Sequence, residues 1–200
     1  LADRWGDVQG MAVAARQQLD AHEDPPRPLA NGTPEQTLIW QEDGAWCRAR
    51  LDWLHEDRTT IDDLKTTSAS ANPDVWTRAL FGAGHDVQAA FYLRGLKALT
   101  GITAAFRFVV QETFPPYALS VIGLAPDALA LTERKVAYAL TLWRHCLALN
   151  EWPGYPRQTC WATVPPWEAA RWGEQEYRAP ATPTLDDGRP LADQLFGDQR

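Results

Sequence analysis

Residues 36–67 read QTLIWQEDGAWCRARLDWLHEDRTTIDDLKTT, and this stretch decides the fold. QTLIWQE (36–42) and AWCRARLDWL (45–54) are rich in β-branched and aromatic residues, and Asp43-Gly44 between them is a favoured two-residue hairpin turn. Side chains alternate across a strand. The spacing therefore predicts Cys47, Ala49, Leu51 and Trp53 on one face and Arg48, Arg50, Asp52 and Leu54 on the other. The polar turn HEDRT leads to a third strand, 59–66. Residues 36–66 are thus expected to form an antiparallel three-strand meander.

Working outward, residues 1–22 place Leu1, Trp5, Val8, Ala12, Ala15 and Leu19 at helical spacing, which predicts an amphipathic helix. Prolines 25, 26 and 28 end it. Downstream, Asn72-Pro73 is a helix start, Gly82 and Gly84 interrupt that helix, and a second helix over about 85–99 ends at Gly101. Two strands, 104–113 and 117–124, flank Pro115-Pro116, and Pro126 opens a long helix to about Leu149, with Leu129, Val136, Leu140, Trp143 and Leu147 on one side. The order predicts an α/β (α+β) fold: a central mixed β-sheet flanked by helices. Domain organisation is read as one domain over 1–177 and a Pro-rich tail over 178–200.

Composition excludes several classes. A 200-residue chain with 45% hydrophobic residues buries a full core, and no apolar run is long enough to span a membrane. The first residues, LADRWGDVQG, lack the basic and apolar regions of a signal peptide, and a reducing cytoplasm is the expected compartment. The net charge of −7 excludes a generic basic coat for nucleic acid but not a local basic groove. Cys47, Cys146 and Cys160 supply neither a disulfide framework nor a four-thiolate metal site. Cys146 is expected to be a buried small hydrophobe. Of the 10 tryptophans, those over 152–172 suit a core or an oligomer interface better than base stacking.

One constellation carries chemistry. Asp63 and Lys65 lie two apart on a strand and so share a face, and Asp52 lies on the neighbouring strand. Two carboxylates side by side repel unless a cation sits between them, and hard oxygen ligands suit Mg²⁺ or Mn²⁺. A lysine beside such a cation orients a water or stabilises a phosphate. This is the inventory for metal-assisted phosphodiester hydrolysis. The bland reading, two solvated strand carboxylates and a lysine, fits the same letters.

The series Asp52, then Asp63-Leu64-Lys65-Thr66-Thr67, then Gln88-x-x-x-Tyr92 resembles the PD-(D/E)xK nuclease superfamily. The closer resemblance is to the RecB-like branch and, within it, to the phage-encoded exonucleases of the exodeoxyribonuclease VIII (RecE) type. It runs from PEQTLIW through CRARLDWL, IDDLKTT, VQAAFYLRGL and FRFVVQETFPPYALSV to EWPGYP. The resemblance implies a restriction-endonuclease-like core and a Mg²⁺-dependent exodeoxyribonuclease acting on linear double-stranded DNA in phage recombination. It implies Asp52, Asp63 and Lys65 as catalytic residues. It also implies Asp52, Asp63, the Leu64 carbonyl and Glu35 around the metal, and Gln88 and Tyr92 on the substrate; from the residues themselves, Arg50 suits a carboxylate or a DNA phosphate, and Thr66 suits a phosphate contact or the strand end. A homo-oligomer, a single-strand annealing protein as partner, and no membrane association complete the expectation. The alternative is a catalytically inactive DNA-binding or scaffold protein that keeps the fold.

Other candidates were weighed from the residues. Gln88 and Tyr92 share one helical face and suit a phosphate contact or a hold on the lysine. The branch often carries a histidine in an N-terminal helix. His22 is the N-terminal candidate here, but its place beside the prolines suits a surface residue. His85 is read as an exposed helix-start residue, and Asp62 as structural because it faces away from Asp63. Arg48, Arg50, Lys65 and Arg94 are the expected basic lining.

Overall fold

The structure is a computed structural model that describes residues 2–178, with side chains from Trp5 onward. The expected tail over 178–200 lies outside the described residues except for Arg178. The chain divides into two compact units, Leu1–Trp152 and Pro153–Arg200. No helix among the described residues is long and apolar enough to cross a membrane.

The first unit holds a five-stranded mixed sheet in the order β1-β2-β3-β4-β5. Its strands are β1 (Gly32–Glu42), β2 (Ala45–His55), β3 (Thr60–Thr67), β4 (Ala105–Glu112) and β5 (Leu119–Gly123). The meander forms as expected: β1, β2 and β3 pair antiparallel, as do β4 and β5. The β3–β4 pair is parallel, because α2 (Pro73–Gly82) and α3 (His85–Thr100) carry the chain back between them. The hairpin turn puts Asp43 at φ 45° and Gly44 at φ 85°, the doubly positive pair that matches strand twist. The Asn72 side chain caps α2 by accepting from the Asp74 N–H at 2.9 Å. A long helix, Pro126–Leu149, follows the last strand; with α1 (Ala2–Asp20) before the sheet, it is α4.

One face of the sheet buries the core: Leu38, Trp40, Cys47, Ala49 and Leu51 from the hairpin join Ile61, Phe106, Phe108 and Val110 against Trp76, Leu80, Ala89 and Leu96 of α2 and α3. Trp40 lies flat on α3, and a Cβ placed on Gly95 would meet its ring at 2.6–2.9 Å. That approach requires glycine. Helix α4 ties to α3 through Asp86, which is fully buried and accepts from Lys135 Nζ at 2.6 Å and Thr132 Oγ1 at 3.2 Å.

The other face is held differently. Arg107 and Asp62 are register partners on β4 and β3. Asp62 accepts from Arg107 Nε at 2.7 Å and from the Leu29 N–H at 2.8 Å, and His55 Nε2 lies 2.7 Å away. Arg107 also donates to the Pro26 carbonyl at 2.8 Å, so the proline-rich loop is pinned to the sheet. Asp62 is therefore structural, as its face predicts. Helix α1 is fastened by polar contacts. Gln18 donates to the Tyr117 carbonyl and accepts from the Leu119 N–H, and Gln111 donates to the Met11 carbonyl.

Three expectations need correcting. The apolar stripe of α1 is not a buried face: Trp5 and Val8 are 64% and 53% exposed, and Leu1 lies outside the described residues. On α4, Val136 is buried but Trp143 and Leu147 are half exposed; Thr132 and Cys146 are the other buried positions, the latter as expected. In the second unit a helix, α5 (Pro166–Tyr177), stands where irregular chain is expected. Its Pro at the first turn and a Glu168–Arg171 pair one turn apart are the local cause. The tryptophans of this second unit fill no core: Trp161 before the helix and Trp167 and Trp172 on it are all exposed.

Candidate functional site

The site is built where β2 and β3 part. These strands pair only at Trp53↔Asp62 and Leu54↔Ile61. Toward the hairpin from Trp53, and past Asp62 on β3, they splay, and Asp52 and Asp63 stand on the two sides of the opening. Alternation on β2 also fails here. Arg48 and Arg50 are exposed and Ala49 and Leu51 buried, as expected, but Asp52, Trp53 and Leu54 are all half-buried and Leu54 packs against the core. The β1–β2 register runs through Pro34↔Trp53 and Gln36↔Leu51 but skips Glu35, whose φ is +56°. The register is the same on both sides of Glu35, so no residue is inserted; the change of face lies within β2, between Leu51 and the Leu54↔Ile61 pair.

Asp63 is 1% exposed. Its Oδ2 accepts from Gln88 Nε2 at 2.7 Å, so α3 reaches down to hold the carboxylate. Its Oδ1 pairs with the Lys65 ammonium. Burial pushes the carboxyl above its ordinary range; Lys65 pulls it back, the Asp52 charge raises it further, and Gln88 lowers it. Across the gap, Asp52 Oδ2 accepts from the Leu64 N–H at 2.9 Å. The strand residue between the acid and the lysine thus fixes the second carboxylate. The Leu64 side chain is 45% exposed.

The other expected residues divide. Tyr92, one turn beyond Gln88, packs edge-on against Phe106 at 6.2 Å. It also lines a cleft of about 470 Å³ with Thr37, Arg48, Ala49 and Arg50. Arg50 Nε lies 2.9 Å from Glu35 Oε2, and both side chains are well exposed. Such an exposed pair contributes about 0–1 kcal/mol and exchanges partners readily. Glu35 is thus held by arginine, and among the described residues no three His, Cys, Asp or Glu side chains converge to hold a metal. Thr66 is exposed at the strand end.

Gln88, Arg94 and His85 differ from the expectation. Gln88 holds the carboxylate of Asp63 rather than the lysine. Arg94 does not line the site: it forms a two-pronged bond to Glu42, with Nε at 2.7 Å from both oxygens. His85 is not an exposed helix start. It is half-buried, stacked on Trp76 at 5.5 Å and 6°, and burial together with the Lys65 charge lowers its pKa. The one sequence signal for this was the conjunction of Trp76 and His85 across the Gly82–Gly84 break. His22 lies 3.9 Å from Asp24 at the end of α1, as its surroundings predict.

The donor set suits a hard divalent cation. Two carboxylates, Asp63 with its buried Oδ1 turned to the Lys65 ammonium and Asp52 close enough to raise its pKa, offer hard oxygen donors at one gap. Asp52 and Asp63 would hold the ion.

Residues 8–161 match the family described as "PDDEXK-like domain of unknown function (DUF3799)". No curated protein matches the chain. Among solved structures, a "putative exonuclease" from Eubacterium rectale is similar, at 15% identity and TM-score 0.49, over 74% of this chain and 62% of that one. The protein SSO0001 is similar at 16% identity and TM-score 0.36, over 74% of this chain and 61% of that one. The chain thus spans less than two thirds of either solved protein. The family match covers most of the sequence, and the chain belongs to this PDDEXK-like family.

Proposed function

We propose that this PDDEXK-like protein is a metal-dependent nuclease. More finely, we read it as a Mg²⁺-dependent exonuclease of the RecE type that degrades linear double-stranded DNA. The observation that carries the reading is Asp63: a buried carboxylate with one oxygen held by Gln88 and the other left to Lys65, facing Asp52 across a parted sheet. Asp62, on the opposite face, instead spends its carboxylate on Arg107, His55 and the Leu29 N–H and faces no second carboxylate among the described residues.

A divalent cation bound by Asp52 and Asp63 supplies a polarised phosphate oxygen and a more acidic water. The protein's own groups do the rest. The Leu64 N–H fixes the Asp52 carboxylate, and Gln88 fixes that of Asp63. Lys65, on the same strand face as Asp63, stabilises negative charge developing on the phosphate and orients the attacking water. Arg50 exchanges Glu35 for a substrate phosphate, with Tyr92 beside it in the cleft. The resemblance to RecE-type enzymes supports a homo-oligomer, a single-strand annealing partner and a phage recombination setting.

The test is incubation of end-labelled linear duplex and closed circular DNA with Mg²⁺ or Mn²⁺. The expected result is nucleotide release from linear DNA alone, lost in Lys65→Ala and Asp63→Ala proteins that still fold. Folded wild-type protein that binds DNA yet cuts neither form overturns the assignment and leaves a non-catalytic DNA-binding role.

A further inference from the structure

The outer face of the β1–β2 hairpin carries an unusual combination. Trp46 is 73% exposed and Ile39 is 56% exposed, in a sheet whose other face buries Trp40 at 4%. By register, Trp46 stands opposite Gln41, Arg48 opposite Ile39, and Arg50 opposite Thr37. These residues therefore form one strip, running along β2 from the gap at Asp52 to the hairpin tip. Trp46 enters no aromatic pair and Arg48 no ion pair among the described residues. Arg50 is held only by the exposed Glu35.

We infer that this strip is the track for a single-stranded stretch of the substrate DNA, with Arg50 and Arg48 taking successive phosphates and Trp46 stacking on a base. The inference rests on the nuclease reading and specifies which form of nucleic acid enters the site and along what path. Three observations carry it. First, spacing: at about 3.4 Å per residue, Arg50, Arg48 and Trp46 lie roughly 7, 14 and 20 Å along the strand from Asp52. That is an extended ladder of cation, cation and aromatic leading away from the reacting centre. Second, continuity: Arg48 and Arg50 share their cleft with Tyr92, and Tyr92 lies one turn from the Gln88 that holds Asp63. Third, charge: in a chain of net charge −7, arginines on an open face beside a ring are the pattern that binds a phosphate backbone and its bases. A duplex offers its bases only at an end, so the strip suits a frayed or single-stranded end rather than helical DNA.

The two kinds of contact have separable signatures. Each phosphate contact to a single strand adds about 0.7 to the slope of log affinity against log salt, whereas stacking adds affinity without slope. The experiment measures binding of a fluorescein-labelled twenty-nucleotide oligo-dT and of a blunt duplex of the same length. It uses the full chain carrying Lys65→Ala to prevent cleavage, over a range of NaCl. The expected result is tighter binding of the single strand. Adding Arg48→Ala lowers the salt slope by about 0.7. Adding Trp46→Ala weakens oligo-dT binding roughly tenfold or more with the slope unchanged, and Trp46→Tyr restores most of it. Both positions are exposed, so the variants keep the wild-type melting temperature. Unchanged affinity and slope in both variants overturns the track. So does a Trp46→Ala protein that binds normally but elutes as a smaller assembly, which makes the tip a contact between copies. Cleavage is measured in parallel with Lys65 intact. Active protein whose oligo-dT binding ignores Trp46 and Arg48 sinks the track but not the nuclease; inactive protein whose binding depends on them sinks the nuclease but not the track.

Discussion

Asp62 and Asp63 are consecutive, equally buried and of identical chemistry, yet they face opposite sides of β3 and live in opposite worlds. Asp62 is saturated by a guanidinium, an imidazole and a backbone N–H. Asp63 has one amide and one ammonium, and its burial raises the pKa that full satisfaction would hold down. Burial alone therefore does not distinguish a structural acid from a chemical one. What distinguishes them is where each is placed: Asp63 faces a lysine and a second carboxylate at the gap between strands, and Asp62 faces away from it.

The comparison breaks most easily by truncating each in turn. Asp62→Ala leaves Arg107 and His55 buried without their anion, and is expected to cost about 3–5 kcal/mol of stability. Urea unfolding would register this as a lower midpoint, while the nuclease activity of the protein that remains folded would change little. Asp63→Ala is expected to do the reverse. Activity on linear DNA falls several hundred-fold, about 3–4 kcal/mol of transition-state stabilisation, while the melting curve barely moves. If the two substitutions gave the same profile, the division between the faces would be wrong.

Two smaller effects sharpen it. Gln88→Ala frees the second oxygen of Asp63 and is expected to slow cleavage by about tenfold, since a hydrogen bond to a charged group contributes about 1.5–3 kcal/mol. Single-turnover assays read this directly. The least effect is on pH dependence. The folded Asp63 carboxyl binds its proton more tightly than the unfolded one, so stability falls as pH rises through the folded value, and the penalty is complete above it. In chelator, Asp63→Asn should therefore melt higher than wild type at neutral pH, with the gap closing as pH drops toward the ordinary carboxylate value of about 4. Millimolar Mg²⁺ should raise the wild-type melting temperature and leave Asp63→Asn unmoved. A gap that widens on acidification would contradict the assigned direction.

Much of this was legible in the letters. The Asp43-Gly44 turn and the alternation on either side fixed the hairpin, and the two-residue step from Asp63 to Lys65 put both on one face. The parity of Asp62 and Asp63 also puts them on opposite faces, and the structure gives them different partners: Arg107 and the Leu29 N–H for one, Gln88 and Lys65 for the other. What could not be read depended on partners distant in sequence. Arg94 sits close to the motif on α3, and nothing local reveals that Glu42 captures it. The loss of alternation at Asp52 coincides with the point where β2 leaves its pairing with β3, a tertiary feature with no local signal. Helix α5 was hidden because Trp, Pro and Gly around it outweigh its weak local signals.

The thin junction between β2 and β3 has a mechanical meaning. Strands joined by two rungs behave as stiff plates sewn along a short seam, with the hairpin as one plate and β3–β5 as the other. The span between the two carboxylates is then governed by leverage, and the far clamp is Trp40 seated on Gly95. A methyl group there would meet the ring at 2.6–2.9 Å, so ring or helix would have to shift, and a shift of the ring would be carried along the hairpin toward the gap.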